Sequence, residues 1–121
     1  MKSIAIVGSR DYPNLEQVYA YVRALPPGTT IVSGGARGVD RTAERAALDA
    51  GLKTIILYPQ WKFPNGKFNK AAGFERNLRI VEAADEVIAF WHGNSRGTAH
   101  TISTARAAGK PVTIISPEVQ S

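Results

Sequence analysis

At 121 residues, 44% of them apolar and 21% charged, the chain can build one core but not two, which predicts a single domain over 1–121. It has no cysteine, which excludes disulfides and thiolate metal sites, and its longest apolar runs fall far short of the roughly 20 residues that cross a bilayer. Fifteen basic against 10 acidic side chains give a formal charge of +5, pointing to phosphate-bearing partners; no signal peptide and no membrane partner are expected, so the cytoplasm is the expected location.

In chain order, 3–8 is an Ile- and Val-rich run of strand length. Leu15, Val18, Val22 and Leu25 recur at spacings of three and four, which predicts a helix over about 15–25 with one apolar stripe, stopped by Pro26-Pro27-Gly28. A second strand is expected at 29–33. The helix after it, about 39–50, places Ala43, Ala46, Ala47 and Ala50 on one face, small enough to lie close to a sheet, and ends at Gly51, which suits a left-handed cap. A third strand at 53–58 precedes a helix of about 74–84 that is expected to bury Leu78, Val81 and Ala84. A fourth strand at 86–91 leads into a helix of about 98–108 burying Ile102 and Ala105, and Gly109-Lys110-Pro111 separates it from a fifth strand at 111–115.

Five strands alternating with four helices require right-handed crossovers and a mostly parallel sheet covered on both faces, so the predicted fold class is α/β, Rossmann-like and doubly wound. The nucleotide-binding strand order 3-2-1-4-5 would place the ligand crevice outside the C-terminal ends of the first and fourth strands. One segment, 59–72, fits neither strand nor helix. It carries Trp61, Phe63, Phe68, Lys62, Lys67 and Lys70 around a Pro64-Asn65-Gly66 turn, and reads either as a lid that stacks on a base or as a cover for the sheet edge or a subunit interface.

Three strand-to-helix loops fall at the same edge of such a sheet. They are Gly8-Ser9-Arg10-Asp11, Ser33-Gly34-Gly35-Ala36-Arg37-Gly38-Val39-Asp40 and His92-Gly93-Asn94-Ser95-Arg96-Gly97-Thr98. Glycines there allow close backbone approach, and the N–H groups that open the next helix present partial positive charge to an anion. Gly34, Gly35, Gly97 and Thr98 are therefore the expected seat of a phosphate, with Arg10, Arg37 and Arg96 around it and hydroxyls from Ser9 and Ser95. Asp40 suits a ribose hydroxyl and equally the N-terminal turn of its helix. Neither the dinucleotide G-x-G-x-x-G nor the P-loop pattern occurs. His92 and His100 have no carboxylate at metal-ligand spacing, so neither a metal nor a resident cofactor is expected.

These loops, with Lys70-Ala71-Ala72-Gly73, Arg76-Asn77 and Gly97-Thr98-Ala99-His100, resemble the SLOG superfamily of Rossmann-like nucleotide-binding domains, and within it the small YspA-type, YpsA-related proteins, across nearly the whole chain. The DNA-processing DprA proteins have a similar Ser-Gly-x-Ala-Arg-Gly-x-Asp loop and Arg-Asn-x-x-Ile helix, found here from Ser33 to Asp40 and from Arg76 to Ile80; that resemblance implies a single-stranded nucleic acid as a possible partner. The Lonely Guy phosphoribohydrolases, which split the N-glycosidic bond of nucleoside monophosphates, have a His-Glu-Arg-Lys motif similar to Phe74-Glu75-Arg76-Asn77. Their resemblance implies Arg76 and Glu75 as catalytic candidates, but Thr101 stands where that family places its catalytic Glu. A missing general base costs about two to four orders of magnitude in rate.

The leading expectation is a homo-oligomeric sensor or carrier that binds a nucleotide or nucleotide-derived ligand, a nucleoside phosphate or an ADP-ribose-like molecule. Its site comprises Gly8, Ser9, Arg10, Ser33, Gly34, Gly35, Arg37, Gly38, Asp40, Arg76, Asn77, Asn94, Ser95, Arg96, Gly97 and Thr98. The alternatives are N-glycosidic hydrolysis of a nucleotide and DprA-like binding of single-stranded DNA.

Overall fold

The computed structural model describes residues 2–93 and 95–117. The apolar runs form β1 (Ser3–Gly8), β2 (Thr30–Ser33), β3 (Lys53–Ile56), β4 (Glu86–Phe90) and β5 (Val112–Ile115), and the periodic segments form α1 (Leu15–Arg23), α2 (Val39–Asp49), α3 (Ala72–Ala83) and α4 (Arg96–Ala107). The strands make one all-parallel sheet in the order β3-β2-β1-β4-β5, so the α/β doubly wound expectation and its strand order both hold.

Side chains alternate across β1 and divide the core between the two faces of the sheet. Ile4 and Ile6 join Val18, Val22, Ala43, Ala46, Ala47 and Phe90 beneath α1 and α2, while Ala5 and Val7 join Ile80, Val81, Ala84, Ile102 and Ala105 beneath α3 and α4. The alanines of α2 are fully buried, and the helix packs on α1 as well as on the sheet. Among the described residues no helix is long and apolar enough to cross a membrane.

Element ends differ from the sequence-based bounds for local reasons. The third strand stops at Ile56 because its partner stops at Ser33, the residue opposite in the register. The fourth helix begins two residues early because Ser95 caps it, its Oγ accepting the Thr98 N–H at 3.3 Å. The expected burial of Leu78 is wrong, since that side chain is 47% exposed. Its neighbour Asn77 faces inward instead and donates to the Gly97 carbonyl oxygen at 3.2 Å, so the buried stripe of α3 runs through Asn77, Ile80, Val81 and Ala84. Leu15 likewise lies mostly outside the core, which α1 reaches through Val18 and Val22.

The irregular segment before α3 is an ordered hairpin. Lys62 and Phe68 bridge antiparallel across the Pro64-Asn65-Gly66 turn, and the Phe63 N–H donates to the Lys67 carbonyl oxygen at 2.8 Å.

Candidate functional site

The sheet reverses its winding direction between β1 and β4, and the crevice outside their C-terminal ends is a cavity of about 410 Å³. Its wall comes from the loop after β1, the loop after β2, the first two turns of α3, the first two turns of α4, and Trp61 of the hairpin. The loops are in contact. Gly38 has φ of 79°, and a Cβ there would sit 2.4 Å from the Arg10 carbonyl oxygen, so only glycine brings the β2 loop this close to the β1 loop while starting α2.

Arg76 organises the centre. Its Nη1 donates to the Gly34 carbonyl oxygen at 2.6 Å and its Nε to Asn77 Oδ1 at 3.1 Å. The Asn77 amide nitrogen in turn donates to Gly97, which ties the start of α3 to the start of α4. Beside Arg76 lies Asp40, 6% exposed, whose Oδ2 accepts the Ala36 N–H at 3.2 Å. Burial pushes the Asp40 carboxyl up to about 7; Glu44 adds to the rise, while the Ala36 N–H and the Arg76 charge oppose it. Burial also lowers the Arg76 pKa from its usual value, and the Asp40 charge counters this. A guanidinium keeps its proton regardless, so the cavity holds a fixed cation beside a carboxyl that titrates near neutrality.

The α4 end of the cavity presents Ser95, Gly97 and Thr98. Thr98 Oγ1 donates to Ser95 Oγ at 3.0 Å, and that same oxygen accepts the Thr98 N–H. The opening N–H groups of α4 have no partners within the helix, as at any helix start, and no acidic side chain occupies its first turn. Arg10 of the β1 loop also lines the cavity, and Trp61 and Phe74 supply apolar surface. The arrangement suits an anion with a flat apolar group attached, since the same wall carries charge-assisted donors and aromatic faces.

Of the expected site residues, Gly8, Ser9, Arg10, Asp40, Arg76, Asn77, Ser95, Gly97 and Thr98 line this cavity. Ser33, Gly34, Gly35, Arg37, Gly38 and Arg96 do not, and Asn94 lies outside the described residues. Ser33 is buried and donates to Glu44 Oε2 at 2.6 Å, and Gly34 supports Arg76 from behind. A Cβ at Gly35 would meet the Tyr58 ring at 2.4 Å, so the loop faces that ring there. Arg37 and Arg96 are exposed. Glu75 is turned away, accepting the Asn69 amide at 3.3 Å. His100 is held against Phe74, ring centroids 4.3 Å apart, and its Nδ1 lies 3.3 Å from the Asn77 amide nitrogen.

Sequence reasoning missed Val7, Asp11, Ala36, Gly73, Phe74, Ile80 and Thr101 as lining residues. Asp11 and Ala36 belong to the glycine-bearing loops after β1 and β2, and Gly73 and Phe74 precede Arg76 in sequence, so their neighbours carry the signal that could have found them. Thr101 lies one turn of helix beyond Gly97, and that places it at the cavity. Among the described residues no three His, Asp or Glu side chains converge as metal ligands.

Comparison with known proteins gives consistent results. The family model described as DNA recombination-mediator protein A matches residues 1–61. The Gene 61 protein of Mycobacterium phage D29 is 34% identical over 118 residues, spanning 93% of this chain and 94% of its own. The X-ray structure of DNA processing protein A (DprA) from Streptococcus pneumoniae superposes with a TM-score of 0.84 at 25% identity, over 100% of this chain and 52% of that one. DNA processing protein A from Helicobacter pylori, whose structure was described for its single-stranded DNA binding mode, gives 0.77 at 26% identity over 93% of this chain and 64% of that one. TM1055, at 24% identity and a TM-score of 0.74, shares the fold. This chain therefore spans about half to two thirds of the two DprA chains.

Proposed function

From the premise that the chain belongs to the DNA recombination-mediator protein A family, we propose that it binds single-stranded DNA and seats one nucleotide of the strand in the cavity at the β1–β4 switch point. The observation that carries this reading is the convergence of Arg10, Arg76 and the start of α4 on one cavity with Trp61 and Phe74 in its wall. Two fixed cations and the positive end of the α4 dipole take a phosphate, and the aromatic faces take a base of any identity, as a strand binder without sequence preference requires. The volume of about 410 Å³ lies in the range of small-ligand pockets, enough for one nucleotide but not for a stretch of strand. The H. pylori relative supports the choice of partner.

A free nucleotide or an ADP-ribose-like molecule is the second reading, favoured by the concave shape of the same cavity. N-glycosidic hydrolysis has less support. Thr101 donates to the Gly97 carbonyl oxygen at 3.2 Å where the resemblance places a catalytic carboxylate, and Glu75 bonds Asn69 outside the cavity.

Fluorescence anisotropy of a labelled thymidine oligomer, titrated at several salt concentrations, tests the proposal. Binding is expected to weaken linearly in log–log form, with a slope of about −0.7 per phosphate contacted. Direct binding of a nucleoside monophosphate, read by titration calorimetry, with no binding of the oligomer would favour the second reading.

A further inference from the structure

Residues 50–74 contain four lysines, Lys53, Lys62, Lys67 and Lys70, and no acidic residue. Three of the four lie in the hairpin before α3, together with Trp61, Phe63 and Phe68, which are 44%, 46% and 61% exposed. Exposed aromatic rings gain nothing from the core, yet this segment is firmly built. The Asn69 N–H donates to the Trp61 carbonyl oxygen at 2.6 Å, and the buried Asn69 amide donates to the Gln60 carbonyl oxygen at 3.2 Å and to Glu75 of α3. Its Oδ1 accepts the Ala71 N–H at 3.1 Å. One buried asparagine thus clamps both legs of the hairpin to the helix that carries Arg76.

The clamp fixes a specific geometry. Trp61 lines the cavity, and the Phe68 ring lies parallel to it, at 2° between planes and 5.8 Å between centroids. The two rings form a short ladder that begins at the cavity wall and ends on an exposed face of Phe68.

We propose that this hairpin is a second nucleotide subsite, in which the base next to the nucleotide in the cavity stacks on Phe68 and its phosphates lie among Lys62, Lys67 and Lys70. The proposal rests on the strand-binding reading above and adds where the strand goes once it leaves the cavity. The parallel rings offer a base a flat face to stack on, and three lysines attract phosphodiester beside one nearby carboxylate, Glu75, which accepts from the Asn69 amide. Every base has a flat face, so the subsite is indifferent to sequence.

The test compares wild type, Phe68→Ala and Phe68→Tyr for binding of thymidine monophosphate and of labelled thymidine oligomers of increasing length, with sedimentation velocity on each protein. In wild type, affinity should rise steeply between the mononucleotide and the shortest oligomers. Phe68→Ala should bind oligomers about fivefold to a hundredfold more weakly, the range that loss of one base stack gives. It should bind the mononucleotide as wild type does, and Phe68→Tyr should restore the oligomer. Equal oligomer affinity in wild type and Phe68→Ala would overturn the subsite alone. A wild type that dissociates into monomers on Phe68→Ala, with oligomer binding unchanged, would assign the patch to a second copy of the chain. Failure of wild type to bind any oligomer would remove the strand-binding reading itself.

Discussion

Arg76 Nη1 donates to the Gly34 carbonyl oxygen at 2.6 Å, joining α3 to the loop after β2 behind the cavity. The contact is possible because residue 34 has no side chain. A Cβ there would lie 2.7 Å from Arg76 Nη1 and 3.0 Å from Asp40 Oδ2. Gly34→Ala should therefore displace the Arg76 guanidinium, the end of a flexible side chain, with only a small cost to the fold. The expected outcome is an oligonucleotide affinity about tenfold lower, as for loss of one charge-assisted contact, and a thermal midpoint within a few degrees of wild type. Unchanged affinity would show that Arg76 does not meet the ligand from this position.

Asp40 sets a pH dependence. Its carboxyl stands at about 7 in the folded chain against an ordinary value of 3.8, so between these values the folded state holds a proton that the unfolded state has released. Stability from this group is therefore fully present at about pH 4, falls as pH rises towards 7, and levels off above it. Asp40→Asn keeps an oxygen for the Ala36 N–H and removes the titration, leaving Glu44 and Arg76 as its charged neighbours. Urea unfolding of both proteins should show the variant gaining on wild type from pH 4 to pH 8. A constant difference across that range would refute the assignment.

Lys110 lies far from the cavity and serves the fold. Its Nζ donates to the carbonyl oxygens of Val81 at 2.5 Å, Glu82 at 3.2 Å and Ala84 at 2.7 Å, around the C-terminus of α3. Lys110→Met retains the aliphatic stem and removes all three bonds. Chemical denaturation should show a loss of about 1–3 kcal/mol, with nucleotide and oligonucleotide binding unchanged in the folded protein.

Much of the architecture is legible in the sequence because it depends on short-range regularities. Apolar runs of four to six residues and stripes such as Val18 with Val22 place every strand and helix, and alternation between the two element types then forces the parallel sheet. The three loops at one edge follow from the same topology. What the sequence conceals is rotation and direction. Nothing in Asn77-Leu78 says that the amide points inward and the leucine outward; that follows from the Gly97 carbonyl oxygen twenty residues later. Ser33 and Gly34 look like a phosphate cradle, but the serine is committed to Glu44 and the glycine to Arg76. Within the hairpin, the parallel stacking of Trp61 on Phe68 depends on the Asn69 clamp, a tertiary contact no periodicity reveals.

The central claim, that the phosphate end of the ligand sits at the start of α4, is tested most directly by Gly97→Asp. A side chain at 97 meets nothing within 4 Å, and a carboxylate in the first turn of a helix that has none there favours the helix dipole. The variant should fold with a thermal midpoint equal to or above that of wild type. Anisotropy with the labelled thymidine oligomer should show affinity reduced by at least about tenfold, since the new negative charge stands at the same helix start as the phosphate. Oligomer binding by folded Gly97→Asp equal to that of wild type, with the same salt slope, would contradict the account.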